Sequence, residues 1–225
     1  MYAVHVTSAT ASEHSRPSLR HRASDESSAA ILEAARDLLA REGQAALTVR
    51  RIAAAAGGST MNVYSRFGGK DGVIDALLIE GFQKLTEVIA DAHADAHTSA
   101  DAIDDLATCA QGYRTFALQH STYYELMFDR SIPGYVMSPQ AIGASAAALG
   151  SLAERVQRAI DEGVIRDGDS RQIATVFWSA CHGPVSLELK LTGKADTDWN
   201  EVHRQLIDSL LRGMAPDHAP KRAKR

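Results

Sequence analysis

The sequence predicts an all-α protein, an N-terminal three-helix unit followed by a larger helical bundle, and three observations carry that expectation. Alanine and leucine are abundant while only 6 of 225 residues are proline, a composition that favours helix and seldom interrupts it. Apolar residues fall on helical faces, with no regular alternation of β-branched residues, as in helices that bury one side. The chain is 45% hydrophobic, enough for a core of one or two domains, yet it contains no run of about 18 apolar residues, so no membrane span is expected.

Residues 1–26 are polar and rich in Ser, His and Arg, which predicts a flexible arm. They lack a basic start followed by an apolar stretch, so they do not read as a secretory signal. The first helix is expected over 27–41, with Ile31, Ala34, Ala35, Leu38 and Leu39 inward and Gly43 as its stop. Thr48 caps the next helix, in which Val49, Ile52, Ala53 and Ala56 share one side and Gly57 supplies the turn. Ser59 caps again, and Val63 and Phe67 give the third helix its apolar stripe. The alanines permit two helices to cross steeply over a short turn. Residues 27–72 thus read as a helix-turn-helix domain. Its outward residues, Thr60, Met61, Asn62, Tyr64, Ser65 and Arg66, form a hydrogen-bonding face suited to base edges and phosphates. The competing reading is an ordinary helical hairpin whose polar face meets only water.

A long helix is expected from Lys70 to about residue 97, carrying Val73, Ile74, Leu77, Leu78, Phe82, Leu85, Val88 and Ile89 inward. Further helices are expected over about 99–119, 121–129, 138–162, 168–192 and 196–213, with Gly163, Gly168 and Gly193 between some of them. Residues 73–213 form the second domain, and 214–225 a basic disordered tail ending in Lys-Arg-Ala-Lys-Arg.

Between 31 and 70 the chain resembles the TetR family of bacterial transcriptional regulators. The resemblance rests on ILEAARDLLAREG, the Gly57-Gly58-Ser59 turn, Tyr64 with Phe67, and Lys70 one turn on. Four residues depart from the family pattern. Gly58 replaces an apolar residue and is expected to weaken packing on the first helix. Arg51 stands where a glutamate would close a capping box. Gly68-Gly69 is expected to loosen the link to the long helix, and Gly72 to cost about 1 kcal/mol relative to alanine.

Two later segments, GYRTFALQHSTYYELMF and TVFWSACHGPVSLEL, resemble the WHG-type C-terminal domain of such regulators, with Trp178, His182 and Gly183 at its signature positions. Ser121 departs from that pattern by replacing a proline. The resemblance implies a small-molecule effector held in a helical bundle and a homodimer formed through the last two long helices. Trp178 and His182 are one turn apart and share a face. With Tyr113, Phe116, Tyr124, Met127 and Phe128 they are the candidate ligand-binding residues, set against the plainer reading of packed core. Gly183-Pro184 is expected to bend its helix and open room there.

The net charge is −4, but its distribution suits DNA at the amino end. Residues 1–70 hold nine Lys/Arg against six Asp/Glu, 71–215 eleven against twenty-one, and 216–225 four against one. Cys109 and Cys181 have no short spacing and suit buried thiols in a reducing cytoplasm. Asp91, His93, Asp95 and His97 offer i, i+4 pairs, but a solvated helix end explains them better than a metal site. Lys70 is followed by Asp71, so no phosphate-binding loop is present, and neither a Gly-x-Ser-x-Gly elbow nor a His-Glu-x-x-His pair occurs. No catalytic residue, metal or cofactor is assigned.

The expected function is therefore a cytoplasmic, homodimeric, ligand-responsive DNA-binding regulator, a repressor released from a near-palindromic operator by its effector. An activator of the same fold is the near alternative, and a helical ligand-binding protein or enzyme without a DNA role the remote one. Thr48, Arg50, Tyr64 and Lys70 are expected to hold phosphates, and Thr60, Met61, Asn62, Ser65 and Arg66 to read bases. Arg16, Arg20 and Arg22 lie where a flexible arm reaches backbone or minor groove.

Overall fold

The computed structural model describes residues 19–95, 101–129, 132–191, 193 and 196–216, with the backbone alone at 19–24, 92–95 and 129. Nine α-helices and no strand occur among them. Helix α1 spans Leu19–Glu42, starting well ahead of the expected residue 27. No glycine or proline interrupts 19–42, and Pro17 stands just before, where its missing N–H costs a helix little. Arg20 and Arg22 therefore fall within α1; Arg16 lies outside the described residues.

Helices α2 (Val49–Ala55) and α3 (Thr60–Phe67) are each capped as the sequence leads one to expect. Thr48 Oγ1 accepts from the Arg51 amide and Ser59 Oγ from the Asn62 amide, both at 3.3 Å. Between them Gly57 adopts φ 65°. Its amide donates to the Ala54 carbonyl and that of Gly58 to the Ala53 carbonyl, the paired bonds of a Schellman stop. Ile31, Ala35, Ile52, Ala53 and Val63 are buried beneath this turn. Gly58 is exposed, and a Cβ there would meet only the Asn62 amide group at 3.3 Å. It faces away from the first helix, so the expected loss of packing does not arise.

Helix α4 (Lys70–Asp95) follows at once, and Gly69, expected with Gly68 to loosen the junction, is packed closely within it. Gly69, at φ 135°, lies under the Tyr64 ring, 3.4 Å from where its Cβ would stand. A Cβ at Gly72 would fall 1.7 Å from the Phe67 carbonyl oxygen. Only glycine lets the first turn of α4 abut the end of α3 this closely.

The remaining elements are α5 (Ala102–Gln119), α6 (Ser121–Tyr124) running into a π-helical turn (Glu125–Asp129), α7 (Pro139–Asp161), α8 (Ser170–Leu191) and α9 (Trp199–Met214). The single helix expected over 121–129 is thus a short α turn and a π turn. Helix α8 passes Gly183 and the buried Pro184 without a break. Charged pairs fix the helices against one another. Asp105 on α5 binds Arg155 and Arg158 on α7. Arg114 on α5 grips Glu188 on α8 with two bonds of 2.8 and 2.6 Å and reaches Asn200 on α9, the fork geometry that makes such pairs specific. The buried apolar residues form one continuous cluster from Ile31 to Met214, and α4 is common to both ends of it.

Candidate functional site

Helix α3 presents a face with few internal commitments. Thr60, Met61, Tyr64 and Ser65 are exposed, Met61 at 70% and Tyr64 at 55%, while Asn62 and Arg66 are half-buried. Val63 is wholly buried against the other two helices, so this face is fixed outward. Ser65 Oγ donates to the Asn62 carbonyl, which leaves its lone pairs free to accept. Met61 offers an apolar tip of the kind that meets a thymine methyl. Arg66 sits on the last turn with Nε shielded and no bond made among the described residues.

Around this face lie Thr48 and Arg50, both exposed, and Lys70, half-buried with Nζ 3.9 Å from Asp71. They stand at the starts of α2 and α4, flanking α3. Arg51 does not join them, because its guanidinium binds Glu42 at 2.5 Å. That ion pair ties α2 to α1 where a capping box would have closed only a helix end.

The second feature is a cavity of about 410 Å³ between α4, α5, α7 and α8 and the π turn. Of the seven residues singled out from sequence, Tyr113, Phe128 and Trp178 line it. Phe116, Tyr124, Met127 and His182 do not; Phe116 and Tyr124 are fully buried. Tyr124 and His182 stand behind the wall and support it. The hydroxyls of Tyr113 and Tyr124 converge on His182 Nδ1 at 3.0 and 2.9 Å, and Trp178 Nε1 donates to the Tyr113 hydroxyl at 3.2 Å. The His182 ring also stacks on that of Tyr124. Met127 packs instead against Gly81 of α4, where an added Cβ would lie 2.8 Å from its sulfur. Burial pushes the Tyr113 hydroxyl well above the ordinary tyrosine range, so it stays a neutral hydrogen-bonding group.

Other walls are not among the ligand-binding residues expected from sequence. Phe82, Leu85 and Ile89 come from α4, Leu149 and Leu152 from α7, and Arg171 from the first turn of α8. The usable signal is the run of small residues on α7, of which Ser145, Ala146 and Ala148 line the cavity. Pro184 itself is absent from the lining. Cys109 and Cys181 are buried in the same wall. Burial raises the Cys109 thiol to about 11 and the Cys181 thiol further, leaving both protonated. Among the described residues no group of three or more His, Cys, Asp or Glu is placed to hold a metal ion. Of the segment proposed as a solvated end, Asp91 is exposed; the side chains of His93 and Asp95 and the whole of His97 lie outside the described residues. So does the basic tail beyond 216. No helix among the described residues is long and apolar enough to cross a membrane.

Residues 31–77 match the family of bacterial regulatory proteins of TetR type, and residues 106–210 match the tetracyclin repressor-like C-terminal domain. The HTH-type transcriptional regulator Rv1816 of Mycobacterium tuberculosis is 25% identical over 197 residues, covering 76% of this chain and 83% of the relative. A protein of unknown function from Rhodococcus sp. RHA1 superposes with a TM-score of 0.73 at 28% identity, over 84% of this chain and 96% of that one. The Bacillus subtilis regulator FadR in complex with stearoyl-CoA shares the fold, with a TM-score of 0.67 at 19% identity over 82% of this chain and 98% of that one.

Proposed function

The chain belongs to the TetR family of bacterial DNA-binding transcriptional regulators, and from that premise we propose that it is a homodimeric cytoplasmic repressor which leaves its operator when a small molecule fills the cavity. The observation that carries this reading is the double role of α4. Its first turn abuts α3 at the Phe67 carbonyl, with no room for a side chain at Gly72. Three turns further on, Phe82, Leu85 and Ile89 form one wall of the cavity. A helix so tightly joined at one end and so placed at the other transmits a shift of the wall to the DNA-facing helix.

The π turn is the second half of the device. Phe128 packs edge-on against Phe82 at 6.2 Å and contacts Trp178 at 5.6 Å, while Met127 and Tyr123 crowd Gly81. An effector that enlarges the cavity pushes on Phe128 and Phe82 together and tilts α4. To release DNA it must favour the tilted form, and each tenfold change in occupancy requires about 1.4 kcal/mol of differential binding.

Dimerisation through α8 and α9 is supported by their outer rows. Val176 and Leu187 on α8 and Val202 and Leu206 on α9 are each more than a third exposed. Ser179, Gly183, Ser209 and Gly213 interleave with them, small enough to let a second copy approach closely. Two α3 helices held about 34–36 Å apart would enter successive major grooves of a near-palindromic site. Thr48, Arg50, Tyr64 and Lys70 are proposed to fix the backbone, and Thr60, Met61, Asn62, Ser65 and Arg66 to read bases. FadR holds stearoyl-CoA; what this chain holds is argued from its own cavity below. No catalytic role is proposed.

The test is a gel-shift titration with the DNA flanking the gene for this chain, at low and moderate salt. A complex containing two chains per site is expected, weakening steeply as salt rises. A strictly monomeric protein that shifts no genomic fragment at low ionic strength would overturn the reading.

A further inference from the structure

We infer that the effector is an amphipathic anion, an apolar body carrying a single carboxylate, seated with the body inward and the carboxylate at Arg171. The inference rests on the reading of the cavity as the effector site and adds the chemistry of what enters it. Among the described residues of the lining Arg171 alone is charged, and no carboxylate joins it there. The rest is aliphatic and aromatic, apart from Ser145, the Tyr113 hydroxyl, the Trp178 N–H and two thiols.

The deep polar groups are already occupied. Trp178 Nε1 donates to the Tyr113 hydroxyl, which lies 3.0 Å from His182 Nδ1, so the strong polar groups of the inner wall are already engaged with one another. Burial keeps both thiols protonated, so it offers no charge either. A ligand atom placed there must therefore be apolar, because an unmatched polar group loses its water for nothing. The mouth is the opposite case. Arg171 is exposed on the first turn of α8 and makes no ion pair among the described residues. The amides of that turn are not available to an anion, since Asp169 Oδ1 accepts from those of Arg171 and Gln172 at 2.9 and 3.2 Å. The guanidinium is left as the donor at the mouth, and its planar fork matches a carboxylate. A cation finds no carboxylate in this lining and meets the like charge of Arg171 at the mouth. A neutral apolar body fills the same space but forgoes the charge-assisted bonds.

The test uses the full chain and isothermal titration calorimetry with laurate, lauryl alcohol and laurylamine, each below its micelle-forming concentration. Laurate is expected to bind at least about tenfold tighter than the alcohol, and the amine weakest. Arg171→Gln, a change at an exposed position, should cost laurate about that factor and leave the alcohol unchanged. Leu149→Trp, which fills the cavity, should abolish both. Equal affinity for laurate and alcohol, indifference of laurate to Arg171→Gln, binding that survives Leu149→Trp, or no laurate binding would each overturn the assignment. A gel shift separates this from the regulatory reading. Laurate that binds through Arg171 yet leaves protein on DNA supports the ligand class and removes the release mechanism. Release by a neutral apolar compound that outbinds laurate does the reverse.

Discussion

Gly72 lowers the helix propensity of α4 by about 1 kcal/mol relative to alanine, and on propensity alone its replacement should stabilise the protein. Contact decides otherwise, because a methyl group at Gly72 meets the Phe67 carbonyl, a backbone atom that cannot swing aside. Gly72→Ala is therefore expected to destabilise by roughly 1–3 kcal/mol, the usual cost of overpacking, read as a lower urea midpoint. An unchanged or raised midpoint would mean that α4 does not abut α3 in this way. His203 illustrates the same rule for charge. Burial, and then the Arg114 guanidinium, hold its pKa below the ordinary 6.5, with Glu188 opposing. The folded state thus stays neutral while the unfolded chain takes up a proton. Stability is full above pH 6.5 and falls as pH drops below that value, until the folded imidazole itself protonates. His203→Gln should flatten the part of the urea-midpoint profile between about pH 7 and pH 5 that this residue supplies. A wild-type profile that superposes on the variant's would remove His203 from the account.

At the level of elements, α2 and α3 were legible in the sequence because everything that starts and stops them is local. Thr48 and Ser59 cap within three residues, and the stop at Gly57 is made by the Gly57 amide on the Ala54 carbonyl and the Gly58 amide on that of Ala53. The cavity was only half legible. Trp178 and His182 share a helical face, yet one lines the space and the other backs it, because the Tyr113 and Tyr124 hydroxyls pull His182 behind the wall. That division depends on α5 and α6, far away in sequence, as does the wall that α4 and α7 supply. The early start of α1 and the π turn at Phe128 have no sequence signal as plain as a cap or a glycine. What α3 and its flanks do is separable by substitution. Lys70→Ala should weaken binding evenly across operator variants and lower the salt slope by about one, as expected for one lost phosphate contact. Tyr64→Ala should weaken binding evenly with an unchanged slope, because no charge is removed. Competition gel shifts over a salt series would show this, and a change in sequence preference from either variant would reassign it to base reading. Trp178→Ala, in the cavity wall, should change the effector concentration needed for release and leave operator affinity intact. Loss of fold, DNA binding and release together would assign Trp178 to core packing.

At the scale of the whole molecule, the proposed function requires a surface that a single chain leaves uncovered. One recognition helix of eight residues touches few base pairs, and a dimer gains its affinity by making the second half-site contact intramolecular. The exposed apolar rows of α8 and α9 are where that second copy would dock. A carboxylate placed on such a row faces its symmetry mate across the two-fold axis, so one substitution introduces two like charges into an apolar contact. Leu206→Glu, alone and with Val176→Glu, is therefore expected to yield a monomer by sedimentation velocity. Both residues are exposed, so helix content and the urea midpoint of the isolated chain should survive, apart from any stability that dimerisation supplies. Operator binding should fall by orders of magnitude, while laurate binding at Arg171 stays within a few fold because the cavity is lined by one chain. A dimer that persists in both variants would move the interface off α8 and α9. A monomer that still holds the full operator would remove the need for two copies, and with it the proposed homodimeric repressor.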